Sequence, residues 1–156
     1  MEKHLNQHLE PLRPFVGKTW RGEFADSTPD KPKVDVSKWE AALGGNAVRI
    51  LHSVNDGEYG GETMIVWDDS EQSLVYFYFT NSGFYTRGSM TVDDGHYVTR
   101  ETVVGSAGGV TDVKSTSHIT PDGRMRITSQ YFSNGTWVEG QEIMYHHDDG
   151  AHVILD

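Results

Sequence analysis

Four polar side chains alternate with aliphatic residues, which is the pattern of one face of a β-strand. They are His52, Glu62, Arg100 and Glu142. If these faces point into a small β-barrel, an imidazole, a guanidinium and two carboxylates converge on one cavity. Such a set can orient a small polar ligand or transfer a proton. The alternative is a buried structural ion pair between Arg100 and a carboxylate.

Aromatic residues could complete this lining. The segments that resemble strands contain five tyrosines whose hydroxyl groups could reach the same interior: Tyr76, Tyr78, Tyr85, Tyr97 and Tyr131. The predicted ligand-binding residues are therefore Trp20, Trp39, His52, Glu62, Tyr78, Arg100 and Glu142. Arg100 and His52 would hold an acidic group of the ligand. For most of the tyrosines the alternative is ordinary core packing, because aromatic residues are frequent in strands.

A recurrent turn signal predicts how these side chains are positioned. Asp56-Gly57, Asp94-Gly95 and Asn134-Gly135 are three of the turn dipeptides that follow one another about every twelve residues. Such dipeptides tolerate the positive φ of two-residue hairpin turns, and the segments between them are rich in β-branched and aromatic residues. The pattern predicts an antiparallel meander.

The meander predicts an all-β fold of ten strands. The first lies within 15–24, and the others cover roughly 34–43, 47–55, 58–68, 73–81, 84–93, 96–104, 110–120, 124–133 and 136–147. Ten such strands exceed what an open sheet usually holds without curling. We therefore predict a closed up-and-down β-barrel over about 18–147, with a β-sandwich as the alternative.

The two ends of the chain are predicted to pack on this barrel. Leu5, Leu9 and Leu12 have helical spacing before Pro14, which predicts a short amphipathic helix at about 4–13. The tail, residues 148–156, ends in an apolar triplet that should pack against the barrel. All 156 residues then form a single domain.

Composition excludes several classes of function. The 13 basic and 23 acidic residues give a formal charge of −10, so nucleic acid and anionic membranes are not expected partners. The chain has no cysteine, which excludes disulfides and thiolate chemistry. No apolar run of signal-peptide length follows Met1, so a cytoplasmic location is expected. No metal site is expected, because adjacent residues such as His146 and His147 point to opposite faces of a strand.

The first strand resembles the start of the lipocalin and fatty-acid-binding (calycin) barrels. The residues are Gly17-Lys18-Thr19-Trp20, with the spacing Gly-x-x-Trp where those barrels have Gly-x-Trp. A closer resemblance, over most of residues 9–147, is to a family of uncharacterised lipocalin-like bacterial domains. It rests on Trp39-Glu40-Ala41-Ala42-Leu43-Gly44-Gly45, Asp122-Gly123, Trp137, Glu142 and Tyr145. The resemblance implies a calycin-type barrel and no established activity.

A further resemblance concerns haem. The segment Thr19-Trp20-Arg21-Gly22-Glu23 resembles the opening of the nitrobindin-type haem barrels. That resemblance implies a proximal histidine close to the C-terminus, where this chain has His146, His147 and His152. No cofactor is expected unless this resemblance extends to haem binding.

These observations predict a protein that binds a small hydrophobic or aromatic molecule, with or without an acidic group, inside a barrel. One alternative is a barrel enzyme that uses Glu62 or Glu142 with a tyrosine as acid and base on an aromatic or keto substrate, although no catalytic signature is present. Haem binding is the third. The strand-like segment 74–79 is apolar on both faces, which favours a homodimer.

Overall fold

Ten antiparallel strands make up most of the computed structural model, which describes residues 2–93, 95–105 and 107–155. The strands are β1 (Lys18–Phe24), β2 (Val34–Ala42), β3 (Ala47–Val54), β4 (Tyr59–Asp68), β5 (Ser73–Thr80), β6 (Tyr85–Asp93), β7 (His96–Val104), β8 (Val110–Ile119), β9 (Met125–Ser133) and β10 (Thr136–His147). The predicted number and order of strands are confirmed.

The sheet closes on itself. Each strand pairs with its neighbours in sequence, and β1 pairs with β10 from Trp20 opposite His147 to Phe24 opposite Ile143. Closure leaves no unpaired strand edge, which confirms the barrel and excludes the sandwich. The hairpin turns follow the sequence signal: Asn134 and Gly135, for example, have φ of 52° and 79°.

The N-terminal segment is not the helix that the leucine spacing predicts. Its only regular element is a 3-10 turn at Glu10–Leu12. Pro11 and Pro14 have no N–H to donate, and most of the hydrogen bonds around them run from residue i to i−3, such as Leu12 N to Leu9 O at 2.9 Å. The prediction of an α-helix at 4–13 is therefore wrong, because two prolines within four residues interrupt α-helical hydrogen bonding.

The same segment nevertheless closes one end of the barrel, which we call the lower end. The three leucines of the helical pattern are at most 2 % exposed, and Phe15 is fully buried. The backbone N–H of Asn6 donates to the carbonyl of Gly45, at the turn between β2 and β3. Phe15 stacks on Trp39 with 5.0 Å between ring centroids. Leucine spacing thus correctly predicted which side chains are buried, although the backbone is not helical.

The C-terminal tail lies along the outside of the barrel. The N–H of Asp148 donates to Thr19 O at 2.8 Å, and the N–H of Ile154 donates to Ser53 Oγ at 2.9 Å. Ser53 points outward, yet it is only 2 % exposed. The tail therefore shields part of the outer surface of β3. In the described part of the chain, no helix has the length and apolarity needed to cross a membrane.

Candidate functional site

Strand register determines which side chains point into the barrel. Residues directly opposite each other on paired strands share a face, so the inward set can be followed around the closed sheet. His52 lies opposite Ser37 and Gly61, and it shares the inner face with them. On the next strands Tyr78 pairs with Thr63 and with Thr86, which places all three on that face.

The interior has two different halves. In the lower half, next to the N-terminal segment, inward side chains such as Trp20, Trp39 and Ile65 are at most 2 % exposed. In the upper half several inward side chains are only partly buried, among them His52, Tyr59, Tyr78, Glu101 and Tyr131. Side chains therefore fill the lower half, whereas space for solvent remains next to the polar groups above. We call this space the upper lumen.

The predicted site residues are divided between these regions and the outer surface. Trp20 and Trp39 point inward but belong to the packed lower half. His52 and Tyr78 point into the upper lumen and contact each other through a hydrogen bond of 2.6 Å from Nε2 to the tyrosine hydroxyl oxygen. Of the seven predicted residues, these two therefore lie together at the candidate site.

Glu62 and Arg100 point outward. Glu62 lies opposite Phe79 on the outer face and is 3.8 Å from the guanidinium of Arg49. Arg100 lies 5.7 Å from the ring centroid of Trp137, also on the outside. The aliphatic residues that alternate with Glu62 and Arg100 also point outward, because parts of the outer wall are apolar. The expected convergence of a guanidinium and two carboxylates in the lumen is therefore not found.

Glu142 points outward because of a β-bulge. Its carboxylate forms an ion pair with Arg126 at 2.8 Å. The sequence pattern grouped Glu142 with Val138 and Met144, but the register between β10 and β9 shifts between Glu139 and Glu142. Such a shift changes the alternation of faces along the strand, so Val138 points inward while Met144 points outward.

A chain of hydrogen bonds links five side chains of the inner wall. Asp35 Oδ1 lies 2.8 Å from His52 Nδ1, and His52 Nε2 lies 2.6 Å from the Tyr78 hydroxyl oxygen. The Tyr78 and Tyr59 hydroxyl oxygens are 2.8 Å apart. At the other end, Tyr145 donates its hydroxyl to Asp35 Oδ2 at 2.6 Å. Both oxygens of a buried carboxylate are thus used, and the chain ends at a tyrosine of the upper lumen.

A second polar group centres on Glu101. Its Oε2 accepts hydrogen bonds from the hydroxyl of Tyr76 at 2.6 Å and from that of Thr86 at 3.0 Å. Burial raises the pKa of Glu101 above its ordinary value, and the two hydrogen bonds offset part of that rise. Burial likewise raises the pKa of Tyr76. This carboxyl group can therefore hold a proton at a higher pH than an exposed glutamate.

The pH dependence of stability should report this shift. The folded state has the higher pKa at Glu101, so it binds more protons than the unfolded chain between the ordinary value of 4.5 and the raised one. The contribution of Glu101 to the free energy of unfolding should therefore fall as pH rises through that window. Urea unfolding at a series of pH values should show a smaller fall in Glu101→Gln than in wild type. If the free energy of unfolding changes with pH by the same amount in the two proteins, the pKa of this carboxyl group is not raised by folding.

Glycines of the neighbouring strands determine where several tyrosine rings lie. A Cβ at Gly22 would lie 2.6 Å from Cδ1 of Tyr145, and one at Gly88 would lie 2.8 Å from the Tyr76 hydroxyl oxygen. Gly61 with Tyr78 and Gly140 with Tyr131 show the same arrangement. Each ring occupies space that a side chain on the neighbouring strand would otherwise take. These glycines therefore help to hold the tyrosine hydroxyls in the hydrogen-bonded positions described above.

Gly22→Ala should consequently destabilise the barrel by about 2 kcal/mol, because the new methyl group overlaps Tyr145 and Ile143. Thermal or urea unfolding of the purified variant measures this. Gly150→Ala is the matched control, because a Cβ there has one neighbour at an ordinary 3.4 Å. If Gly22→Ala lowers the free energy of unfolding no more than Gly150→Ala does, the Tyr145 ring does not pack closely against Gly22.

The sequence pattern missed Asp35, Tyr59, Glu101 and Tyr145. Asp35 alternates with Ser37 and Trp39, and Glu101 alternates with Thr99 and Val103, so neither stands out as a polar residue in apolar company. A usable signal was the pairing of glycine with tyrosine on neighbouring strands, as at Gly22 and Tyr145. That signal requires the register of the closed barrel, which a strand considered alone does not reveal.

The C-terminal histidines lie away from the upper lumen. The side chains of His146 and His147 are 54 % and 47 % exposed, and His147 is hydrogen-bonded to Asp149. His152 is exposed on the tail. His52 points inward, but both of its ring nitrogens have hydrogen-bond partners. These histidines do not fit a haem iron in the lumen, and residues 2–93, 95–105 and 107–155 contain no cluster of three or more His, Asp or Glu suited to a metal ion.

An outer groove is another concave candidate. It lies between the loop after β1 and the C-terminal tail, where Arg21, Lys33, Val36 and His152 line it. Its buried hydroxyl, on Ser53, already accepts the hydrogen bond from the tail. Because its charged side chains are exposed and its buried polar group is paired, we consider the upper lumen the better candidate site.

Comparisons with known proteins support the fold and assign no function. No family model matches the chain, and no curated protein matches it. Among solved structures, the crystal structure of Rv2717c from M. tuberculosis is similar, with a TM-score of 0.66 and 15% sequence identity. The match covers 93% of this chain and 99% of that one. At this identity the likeness shows a shared barrel fold.

Proposed function

We propose that the upper lumen binds a small apolar or aromatic molecule. The observation that carries this proposal is the partial exposure of inward polar groups, above all His52, Tyr59 and Glu101, in a barrel whose lower half is filled. Ligand sites combine a mostly apolar lining with a few polar groups that fix orientation. The aromatic faces of Tyr59, Tyr78 and Tyr131 would supply the lining, and their hydroxyls the orientation.

The charges of the wall favour a ligand whose polar end is not a bare anion. Arg100, which was expected to hold an acidic group, lies outside. Among the described residues of the upper lumen, no lysine or arginine points inward, whereas Asp35 and Glu101 do. An acidic ligand would therefore bind most favourably in its protonated form or next to a protonated His52. Phenols and small aromatic amines fit these requirements best.

Binding can be tested with 1-aminoanthracene, a small neutral fluorophore that brightens in apolar surroundings. We expect saturable enhancement with wild type. Val103→Trp should weaken binding by about tenfold or more, because Val103 is inward and a larger ring there fills the lumen. Thr102→Trp is the matched control, because the neighbouring residue points outward. No enhancement in wild type, or equal affinity in both variants, would refute binding in the lumen.

A second candidate is acid–base catalysis in the same cavity. It is favoured by Glu101, a partly buried carboxyl group with a raised pKa beside the hydroxyl of Tyr76. Glu101, with Tyr76 as the tyrosine, replaces Glu62 and Glu142 as the candidate acid and base, because those two glutamates point outward. If a screen of aromatic and keto compounds finds turnover, Glu101→Gln should lower it by about a hundredfold. Glu62→Gln should leave the turnover unchanged. If the two variants lower turnover equally, Glu101 is not the acid or base.

We also propose that a second copy of the chain covers an aromatic patch on the outer wall. The rings of Phe77, Phe79 and Tyr85 follow one another with centroid distances of 6.2 and 5.7 Å, and Phe79 is 51 % exposed. Exposed patches of this kind often mark interfaces, and two-fold homodimers are the commonest assemblies.

Light scattering tests this proposal. Wild type should have twice the monomer mass of 17.5 kDa, and Phe77→Lys should have the monomer mass, because the new charge would be buried in the interface. Arg126→Glu, a charge change elsewhere on the surface, serves as the control. A wild-type protein that is monomeric at high concentration would exclude the dimer.

Three broader proposals complete this description. The resemblance to lipocalin-like bacterial domains is compatible with the closed barrel, and membership of that family stays a proposal. The formal charge of −10 supports a protein that does not bind nucleic acid or anionic membranes. A cytoplasmic location is likewise proposed.

A further inference from the structure

The hydrogen-bond chain of the inner wall connects a buried carboxylate to the upper lumen. Its links are Asp35 to His52, His52 to Tyr78 and Tyr78 to Tyr59, at 2.8, 2.6 and 2.8 Å. The four residues come from β2, β3, β5 and β4, so they meet only because the barrel brings these strands together. Asp35 is held from behind by Tyr145, which donates to its second oxygen. Every link is short enough for a proton to pass along it.

The order of donors in this chain allows two states that differ by one proton. With neutral His52, Nδ1–H donates to Asp35, Tyr78 donates to Nε2, and Tyr59 donates to Tyr78. With protonated His52, Nε2–H donates to Tyr78, Tyr78 donates to Tyr59, and Tyr59 donates into the lumen. Hydroxyl groups can donate in either direction, so no heavy atom has to move between the two states.

His52 is the group in this chain best placed to keep the proton. Burial raises the pKa of Tyr59 and of Tyr78, so both hydroxyls remain protonated and can pass a proton on without holding a negative charge. The side chains that face the imidazole are Asp35 from β2, Tyr59 from β4 and Tyr78 from β5. Tyr145 lies behind Asp35, and the charge of Glu101 on β7 acts on the two tyrosines. The Asp35 carboxylate would neutralise an imidazolium at this position.

We propose that Asp35, His52, Tyr78 and Tyr59 form a general-base relay that removes the proton from the O–H group of a small phenol or enol bound in the upper lumen. The proposal rests on the proposed ligand binding. The ligand O–H gives its proton to the Tyr59 oxygen, Tyr59 gives its own to Tyr78, and Tyr78 gives its own to His52 Nε2. The ligand thus becomes an anion and His52 an imidazolium, and no other bond forms or breaks.

The probe for this proposal is 4-nitrophenol, whose phenol and phenolate forms absorb at different wavelengths. Equilibrium dialysis measures its binding, and absorbance of the bound fraction measures its ionisation at each pH. The pKa of the phenol bound to wild type should be about one unit lower than its pKa in solution, because His52 takes up the proton inside the complex. Binding without this shift would overturn the relay but leave the proposed ligand binding intact.

Variants separate the relay from mere binding. His52→Gln retains hydrogen-bonding groups but cannot take up a proton, so the shift should disappear while binding persists. Tyr59→Phe should remove the shift as well, because it cuts the lumen end of the chain. His96→Gln, an exposed histidine on the outer face, should leave the shift unchanged. A shift of wild-type size in both His52→Gln and Tyr59→Phe would overturn the proposal.

A measurement on the wild-type protein keeps the test decisive if these variants do not fold. Nitrogen-15 NMR should show His52 protonated at Nδ1 in the free protein and additionally at Nε2 when 4-nitrophenol is added. An imidazole whose Nε2 stays unprotonated at saturation would overturn the relay. If 4-nitrophenol does not bind but 1-aminoanthracene does, the phenol class and with it the relay are overturned, whereas binding in the lumen stands.

Discussion

Replacing Asp35 by alanine should lower the free energy of unfolding by about 3 kcal/mol. The Asp35 carboxylate is only 2 % exposed and accepts hydrogen bonds from His52 and from the buried Tyr145. Its removal leaves one buried donor, Tyr145, and one partly buried donor, His52, without a partner, and an unpaired buried polar group costs about 1 to 3 kcal/mol. Urea unfolding followed by tryptophan fluorescence measures the difference.

Two further variants identify the cause of that loss. Asp35→Asn should cost less than Asp35→Ala, because an amide can still accept from one of the two donors. Glu62→Ala removes an exposed carboxylate of the outer wall and should change stability by no more than about 0.5 kcal/mol. If Asp35→Ala destabilises no more than Glu62→Ala, the buried hydrogen-bond chain does not exist in solution.

Phe15→Ala should destabilise the protein by about 4 kcal/mol, the largest effect expected from a single truncation here. Phe15 is fully buried in the N-terminal segment, where its ring stacks on Trp39. It also forms a T-shaped contact with Tyr97, with 5.3 Å between the ring centroids. The truncation removes these contacts and leaves a cavity at the lower end of the barrel. The loss should appear in both thermal and urea unfolding.

An exposed phenylalanine provides the comparison. Phe79→Ala removes the same number of atoms from a side chain that is 51 % exposed, so its cost in the monomer should be several times smaller. Should Phe15→Ala prove as mild as Phe79→Ala, the N-terminal segment would not be an integral part of the core, and the lower end of the barrel would be open.

Turn dipeptides were enough to predict the strands, and the number of strands favoured a barrel over the alternative of a sandwich. Asn134-Gly135 and its equivalents mark positions where the backbone needs positive φ, which is a local requirement that sequence expresses directly. The N-terminal segment shows the opposite case. Leucine spacing identified the buried face, but Pro11 and Pro14 prevent the α-helix that such spacing usually accompanies.

The candidate site was harder to predict because it depends on which face of each strand points inward. His52 and Tyr78 point into the lumen, whereas Glu62 lies on an outer wall that is itself partly apolar. For Glu142, a bulge between Glu139 and Glu142 changes the alternation of faces within one strand. The bulge has no signal in the local pattern, and an apolar strand face does not by itself reveal whether it points inward or outward.

The residues that sequence did not identify share one property. The roles of Asp35, Glu101 and Tyr145 depend on partners on other strands. Tyr145, for example, is the partner of Asp35 at the place where the barrel closes. A pair separated by 110 residues forms because β1, which lies between β2 and β10, joins the two ends of the sheet. A contact between residues this far apart in the chain cannot be predicted from a short stretch of sequence.

A crystal structure of the protein grown with 4-nitrophenol tests the central claim, an open upper lumen that binds small aromatic molecules, most directly. We expect electron density for one ring inside the barrel, with its hydroxyl oxygen about 2.7 Å from that of Tyr59. A lumen in which the side chains of His52, Glu101 and Tyr131 meet and leave no space, with the compound in the outer groove beside Arg21 or absent, would contradict it.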